Sequence, residues 1–445
     1  MKKIITSIQE IWKIEELRNK ILLTLGLMVV YRFAAQITLP GIDPKQLSGI
    51  ADKTGGGGIL DVLNMFTGGA FARVSIMALG IMPYISASIV VQLMGIAIPY
   101  LQKLKNEGES GNKKITQITR WLTIVILIFQ APAFIYSLPS LGVPDSAFLL
   151  GKGFTFWFSS IILLTTGTVF AMWLGERITE KGIGNGISLL IMIGIVARLP
   201  LAFAQEVGSR LKASQGGLMM IIFEVIAWSL VILAAVLLVT AIRKIAVKYA
   251  RRTVAGDIGN LDGSRDYIPL KLNSAGVMPI IFAQAIMFVP ALMKNSNNDA
   301  VKSIGLEFTD MFGLWYNVLF AVLIIIFGYF YTAITIPTNK MADDLKRGGG
   351  FVPGLKPGTE TANFLDSVLS RITLPGSILL ALLAVLPALV IKFDVQQSWA
   401  MFYGGTSLII MVGVAMDTLQ QINSHLLNRH YDGLMKKGNK RKSIS

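Results

Sequence analysis

The sequence predicts an all-α polytopic membrane protein, and three observations carry that prediction. Of its 445 residues 53% are apolar and only 15% charged, whereas about a quarter of the residues of an ordinary soluble domain are charged. The apolar residues gather in separate runs of about 20, each long enough to cross a hydrocarbon core of ~30 Å. The Lys and Arg residues behind the net charge of +15 collect between alternate runs, as the positive-inside rule requires.

Residues 1–20 carry Lys2, Lys3, Lys13, Arg18 and Lys20 with Ile4, Ile8, Ile11 and Trp12 at helical spacing, which predicts an amphipathic helix on the cytoplasmic surface. Span 1 is expected over 21–39. No convincing small-residue cleavage site follows it, so it reads as a span rather than a removable signal. Arg32 lies near its far end, where a long side chain can snorkel to the interface. After Pro40 comes an outer segment with four glycines at 55–58, and then Ile59, Val62, Leu63 and Phe66 fall on one face of a short helix. Roughly 12 residues at ~1.5 Å each reach only ~18 Å, so this helix must re-enter the membrane or lie flat. Half-spanning elements at membrane depth survive only when buried in protein or lining a water cavity, which is the first sign of a pore.

Span 2 is expected over 74–95, beyond the double glycine Gly68-Gly69, with Pro83 and several serines interrupting its apolar run. A basic polar loop, LQKLKNEGESGNKK, follows. Spans 3 to 5 are placed at 118–138, 153–175 and 183–204. Spans 6 to 10 fall at 217–241, 274–293, 313–336, 372–391 and 400–420. Cytoplasmic loops are expected at 242–273 and 337–371, with a basic cytoplasmic tail over 421–445. Ten spans put both termini on the inner side, and roughly thirty of the 41 Lys and Arg then lie inside against about ten outside. Five spans in 21–204 and five in 205–420 give the two-halved plan of a transport fold, two pseudo-symmetric halves around a pore.

Composition excludes several chemistries. There is no cysteine, hence no disulfide, thiolate metal site or cysteine nucleophile. His425 and His430 lie past the last span, so a Ser/His protease has no histidine within the membrane. No GxxxxGK[ST] phosphate loop is present, and energy for transport must come from a partner. No catalytic residue, metal site or cofactor is expected. A gated polypeptide channel is the leading reading; an ion-coupled secondary transporter fits ten spans in two halves as well, and a membrane enzyme is the third class.

Ile81 and Ile85 stand one helical turn apart, as do Ile187 and Ile191, so each pair faces one way; spacing alone fits core packing or a pore wall. Ser86, Ser88, Gln92, Gln130, Asn273 and Gln284 are uncharged polar groups within spans, which most often form interhelical hydrogen bonds. Glu224 within span 6 is a functional-site candidate by default, or lies close enough to the outer interface to be solvated, the favoured reading. The basic stretches RKIAVKYARR (243–252) and KRGGGFVPGLKPG (346–358) fit topology, and equally the attraction of acidic partners or ribosomal RNA.

Six blocks extend this reading: NMFTGGAFARVSIMALGIMPYISASIVVQL, LKNEGESG, MWLGERITEKGIGNGIS, AGVMPIIFA, FVPGLKPG and YGGTSLIIMVGVAMD. They resemble, in order and over nearly the whole chain, the signature blocks of the SecY family, the channel subunit of the bacterial protein translocase. The resemblance implies a passive channel for unfolded secretory polypeptides that releases membrane-protein helices sideways into lipid. It implies a pore ring of Ile81, Ile85, Ile187, Ile191, Ile281 and Ile410, and a plug at about 58–70 that includes Ile59, Val62, Leu63, Asn64, Phe66, Gly68 and Gly69. It implies a lateral gate with Ser86, Gln92, Gln130 and Asn273, and motor or ribosome docking at Arg243, Lys244, Lys248, Arg251, Arg252, Arg347 and Lys356. The chain departs from the family at Lys356, where an arginine is usual and where lysine lacks the planar fork for bidentate binding, and at Ala246, where many relatives have proline. Implied partners are the SecE and SecG subunits, the SecA motor ATPase, the ribosome with its RNA and proteins, signal sequences, nascent chains and membrane lipid, with no role for DNA. The implied location is the bacterial inner membrane.

Overall fold

The structure, a computed structural model, describes residues 12–47, 59–139, 143–149, 151, 153–212, 217–249, 265–293, 307, 308 and 310–442. It divides into two compact units. One comprises residues 1–209, 397–399 and 414–445, and the other 210–396 and 400–413.

The helices of the first unit are α1 (Glu15–Ala34), the short α2 (Ile59–Phe66), α3 (Met82–Ala97), α4 (Pro99–Asn106), α5 (Glu109–Ser137), α6 (Phe154–Lys181) and most of α7 (Gly186–Lys212). α1 packs on α6, α3 on α5, and α5 on α6. Their shared core includes Leu39, Val74, Leu127, Phe134, Leu138, Phe156 and Leu164, all buried. Phe71 meets Phe134 edge-on at 5.1 Å between ring centres, and Phe148 meets Phe156 at 5.5 Å, the edge-to-face geometry that ring quadrupoles favour.

Two prolines decide where α3 lies. The expected span from Val74 is corrected: residues 67–81 run as turns, and the helix begins at Met82 with Pro83 in its first turn. Proline is favoured there because its missing N–H has no helical partner anyway, so Pro83 starts this helix rather than flawing it. At the other end Pro99 forces the preceding Ile98 into an extended conformation (φ −101°, ψ 115°), which breaks the chain into α4. The polar stretch expected there as a loop is therefore largely helical.

The second unit holds α8 (Gly217–Thr240), β1 (Ile242–Tyr249), β2 (Arg265–Lys271), α9 (Met278–Met293), α10 (Leu314–Thr335), α11 (Thr338–Arg347), β3 (Gly350–Phe351) and α12 (Thr359–Ile391). α12 packs on α8, α10 and α11, and α9 packs on α10. A four-residue α13 (Gln397–Ala400) and the long α14 (Gly405–Lys442) follow. The two loops expected at 242–273 and 337–371 are not plain loops. They form an antiparallel sheet in the order β2-β1-β3, with Ile245 opposite Ile268 and Lys248 opposite Phe351. Ile245 and Val247 alternate inward against Leu270, Val352, Leu365 and Leu369, the period-two pattern of a half-buried strand.

Among the described residues seven stretches are long and apolar enough to cross a membrane: α5, α6, α7, α8, α12, Leu314–Arg347 and Gln397–Leu426; the broken pair α3–α4 makes an eighth. α1 and α9 occupy the positions of expected spans 1 and 7, α9 with 16 residues or ~24 Å of helix. Helices overlap the ten expected spans, seven or eight of them long and apolar enough to cross, and apart from the small sheet the chain is a helical polytopic membrane protein.

Candidate functional site

In the first unit the described part of α2 has eight residues, about 12 Å, and the chain then continues through turns to Met82. A dense set of polar contacts shapes those turns. The Thr67 hydroxyl lies 3.1 Å from the Leu63 carbonyl and 3.2 Å from that of Asn64, and accepts from the Phe71 N–H. Asn64 Oδ1 accepts the Ala72 N–H at 3.1 Å, and the Asn64 carbonyl accepts the Gly69 N–H at 2.8 Å. Both Asn64 and Thr67 are buried. These bonds satisfy the carbonyls left open at a helix C-terminus.

Glycines set the close approaches. Gly68 (φ +64°) and Gly69 (φ +89°) adopt the left-handed backbone that only glycine takes without cost. A Cβ on Gly194 of α7 would stand 2.7 Å from the Phe66 carbonyl oxygen, and one on Gly167 of α6 would stand 2.1 Å from that of Ile76. Residues 66–76 are therefore seated directly on the backbones of two long helices. Val74 also has a positive φ (47°), worth about 1–3 kcal/mol of strain in a β-branched residue. The Val74 carbonyl is held by the Leu39 N–H at 2.9 Å and its N–H by the Phe71 carbonyl at 3.0 Å.

The predicted plug residues Leu63, Asn64, Phe66, Gly68 and Gly69 all lie in this segment. Ile59 and Val62 lie on the backbone of α2. Arg32 is half-buried and its Nη1 donates to the Gly68 carbonyl at 3.1 Å. In the turns before Met82 Arg73 donates to Gln36 Oε1.

Four of the six ring isoleucines belong to the first unit and two, Ile281 and Ile410, to the second. Ile81 caps the start of α3 and its carbonyl accepts the Ile85 N–H at 3.1 Å, so the one-turn spacing holds although only Ile85 is within the helix. Ile81, Ile191 and Ile410 are buried, and Ile85, Ile187 and Ile281 are half-buried. Ile187 leans on α6, its Cγ1 3.0 Å from where a Gly175 Cβ would stand.

Of the predicted gate residues Ser86, Gln92 and Gln130 are exposed, with Gln92 donating to Ser88 Oγ at 3.1 Å. Asn273 is half-buried in a turn before α9, and its carbonyl accepts the Gly276 N–H. Among the docking candidates Arg243, Lys244 and Lys248 are exposed on β1 and Arg347 is exposed at the end of α11. Lys244 and Lys248 share one strand face and Arg243 the other. The exposed Lys356 reaches Glu360 at 3.9 Å. Arg251 and Arg252 lie outside the described residues. No group of three or more His, Cys, Asp or Glu that could hold a metal occurs among the described residues.

Sequence reasoning misplaced Glu224 and missed its partner. Glu224 is buried rather than solvated, and Arg210 reaches its Oε1 from Nη2 at 2.8 Å and from Nε at 3.1 Å. Opposite charges fourteen residues apart on consecutive helices were the available signal. The seats at Gly167 and Gly194 were invisible, because only the fold says what lies opposite them.

The SecY family model matches residues 75–419. The chain is 40% identical over 431 residues to the protein translocase subunit SecY of Haemophilus influenzae, covering 95% of each. Its fold resembles that of a SecY protein whose plug domain stabilises the closed state of the translocation channel and maintains a membrane seal (TM-score 0.61, 18% identity, 92% of each chain). It also resembles Sec61 in the canine ribosome-channel complex from the endoplasmic reticulum (TM-score 0.55, 16% identity, 92% of each chain). The chain belongs to the SecY family of protein translocase subunits.

Proposed function

We propose that this chain conducts unfolded polypeptides through a narrow aliphatic ring, closed at rest by residues 58–70 acting as a plug. The observation that carries the reading is the re-entrant segment 59–81. A half-spanning helix and a run of turns sit against glycine backbones of spanning helices, which a membrane excludes unless protein or a water cavity surrounds them. Ile81, Ile85, Ile187, Ile191, Ile281 and Ile410 form the ring. Aliphatic side chains offer a passing backbone no fixed hydrogen-bond partner, and a narrow apolar collar excludes ions by dewetting.

Ser86, Gln92, Gln130 and Asn273 line a lateral gate. A seam of uncharged polar contacts worth roughly 1 kcal/mol each parts for a competing apolar signal helix more readily than tight aliphatic packing does. Arg243, Lys244, Lys248, Arg347 and Lys356, together with Arg251 and Arg252, face a motor or a ribosome on the cytoplasmic side. The exposed placement of the five described cations supports that role. The chain works in the bacterial inner membrane with both termini cytoplasmic, clamped by SecE beside SecG, and draws energy from SecA or the ribosome rather than from chemistry of its own.

The test is transport into vesicles carrying the purified chain with its co-expressed small subunits. The expected result is uptake of a preprotein with the motor and ATP, and no uptake of small solutes without a preprotein. Solute uptake in the absence of preprotein would favour a secondary transporter instead.

A further inference from the structure

The guanidinium of Arg32 touches the double glycine Gly68-Gly69 at the end of the proposed plug segment. Arg32 lies two residues before the end of α1. Among the described residues no carboxylate pairs with it, and its hydrogen bond goes to a backbone carbonyl, that of Gly68, at 3.1 Å. Gly68 is buried and is followed by Gly69, both with left-handed backbone. A Cβ on Gly68 would fall 2.2 Å from Arg32 Nη1 and 2.9 Å from Gly194 Cα. The arginine and the α7 backbone therefore close around the glycine from different helices.

The bonded carbonyl lies two residues past the end of α2, at the end of a helix that carries partial negative charge. A cation there is attracted both to the carbonyl and to the dipole. The acceptor is nevertheless neutral, so breaking the contact leaves no buried carboxylate behind, and the freed guanidinium can turn to water at the interface. A hold of this kind keeps a segment seated at rest and still lets go under load.

We infer that Arg32 is a positioning residue that latches the glycine hinge of the plug in its seated state. The inference rests on the plug reading above. Resting ion conductance of the full chain with its co-expressed subunits in planar bilayers tests it, comparing wild type, Arg32→Gln and Arg32→Lys, each with and without residues 60–66. Arg32→Gln is expected to raise resting conductance about tenfold, the size typical of a lost hydrogen bond to a charged group. Arg32→Lys, which keeps the charge and a donor, is expected to return it toward wild type. In the channel lacking residues 60–66 neither substitution should change anything.

An equal rise with and without residues 60–66, or no rise in the intact channel, would overturn the latch while leaving the plug standing. Unchanged conductance on deleting residues 60–66 would remove the plug reading itself. A second readout in cells does not depend on purification. The chain has no cysteine, so a single Phe66→Cys can be labelled by an impermeant maleimide from the outer side. Arg32→Gln should speed that labelling about tenfold, and an unchanged rate would contradict the latch.

Discussion

Arg32 in α1 and Arg210 in α7 each stand two residues before the end of their helix, and their surroundings differ in kind. Arg32 is half-buried and donates to the neutral carbonyl of a glycine. Arg210 and Glu224 have side chains 14% and 6% exposed, with the guanidinium 2.8 Å from the carboxylate and also 3.3 Å from the Phe393 carbonyl. Around that pair the Tyr403 hydroxyl donates to the Glu224 carbonyl at 2.7 Å, and the Trp228 ring N–H donates to that of Phe402 at 2.9 Å. Parting two buried opposite charges leaves each uncompensated, whereas parting an arginine from a peptide carbonyl does not. The contrast separates a charge-paired contact from a neutral one: the second unit is pinned near Glu224, and on the proposed reading the contact at Gly68 is the one that opens.

The largest expected effect breaks the pinned region. Glu224→Ala leaves Arg210 buried without its carboxylate and is expected to destabilise the fold by about 3–5 kcal/mol, read as lost thermal stability in detergent and lost abundance in cells. Replacing both residues with leucine should recover most of the loss. A single variant as stable as wild type would contradict the scaffold role.

A smaller effect is expected where the moving part is seated. Gly194→Ala drives a methyl toward the Phe66 carbonyl, 2.7 Å away. The overpacking, about 1–3 kcal/mol, falls on the seated plug, so resting ion leak should rise while the abundance of the chain holds. Unfolding without leak would place the cost in the scaffold instead.

Smaller still in folding terms is a polar residue in the proposed ring. Ile81→Asn or Ile410→Asn is expected to wet the constriction and admit preproteins with poor signal sequences, measured as export of a signal-defective reporter. Unchanged leak and unchanged export would argue against the ring. The smallest effect belongs to Arg120→Gln. Arg120 binds both oxygens of Glu176, at 2.8 and 2.7 Å, but its side chain is 44% exposed. Stability should change by no more than about 1 kcal/mol, with no change in leak. A larger loss would show that exposed pairs also carry the scaffold.

Legibility in the sequence follows the range of the interaction. The spans and the family were readable, because apolar length and the six blocks are local signals. The strand Ile242–Tyr249 was readable in principle, since Ile245 and Val247 alternate with Lys244, Ala246 and Lys248. The positive-inside rule accounted for the same cations without a strand and hid that period. Pro83 misled because proline ends a helix from within but begins one at its first turn, and the residue alone does not say which. Arg32, Gly194 and Gly167 were beyond reach: each takes its meaning from backbone far along the chain that only the fold brings beside it.

The central claim is that residues 58–70 must leave their seat before a polypeptide can pass. The most direct test bridges Phe66→Cys to a second introduced cysteine in the segment 40–47, expected on the outer side, with a cleavable bifunctional reagent, in a chain with no other cysteine. The account predicts that preprotein export stops when the bridge forms and resumes when it is cleaved. Export at the full rate with the bridge intact would contradict it.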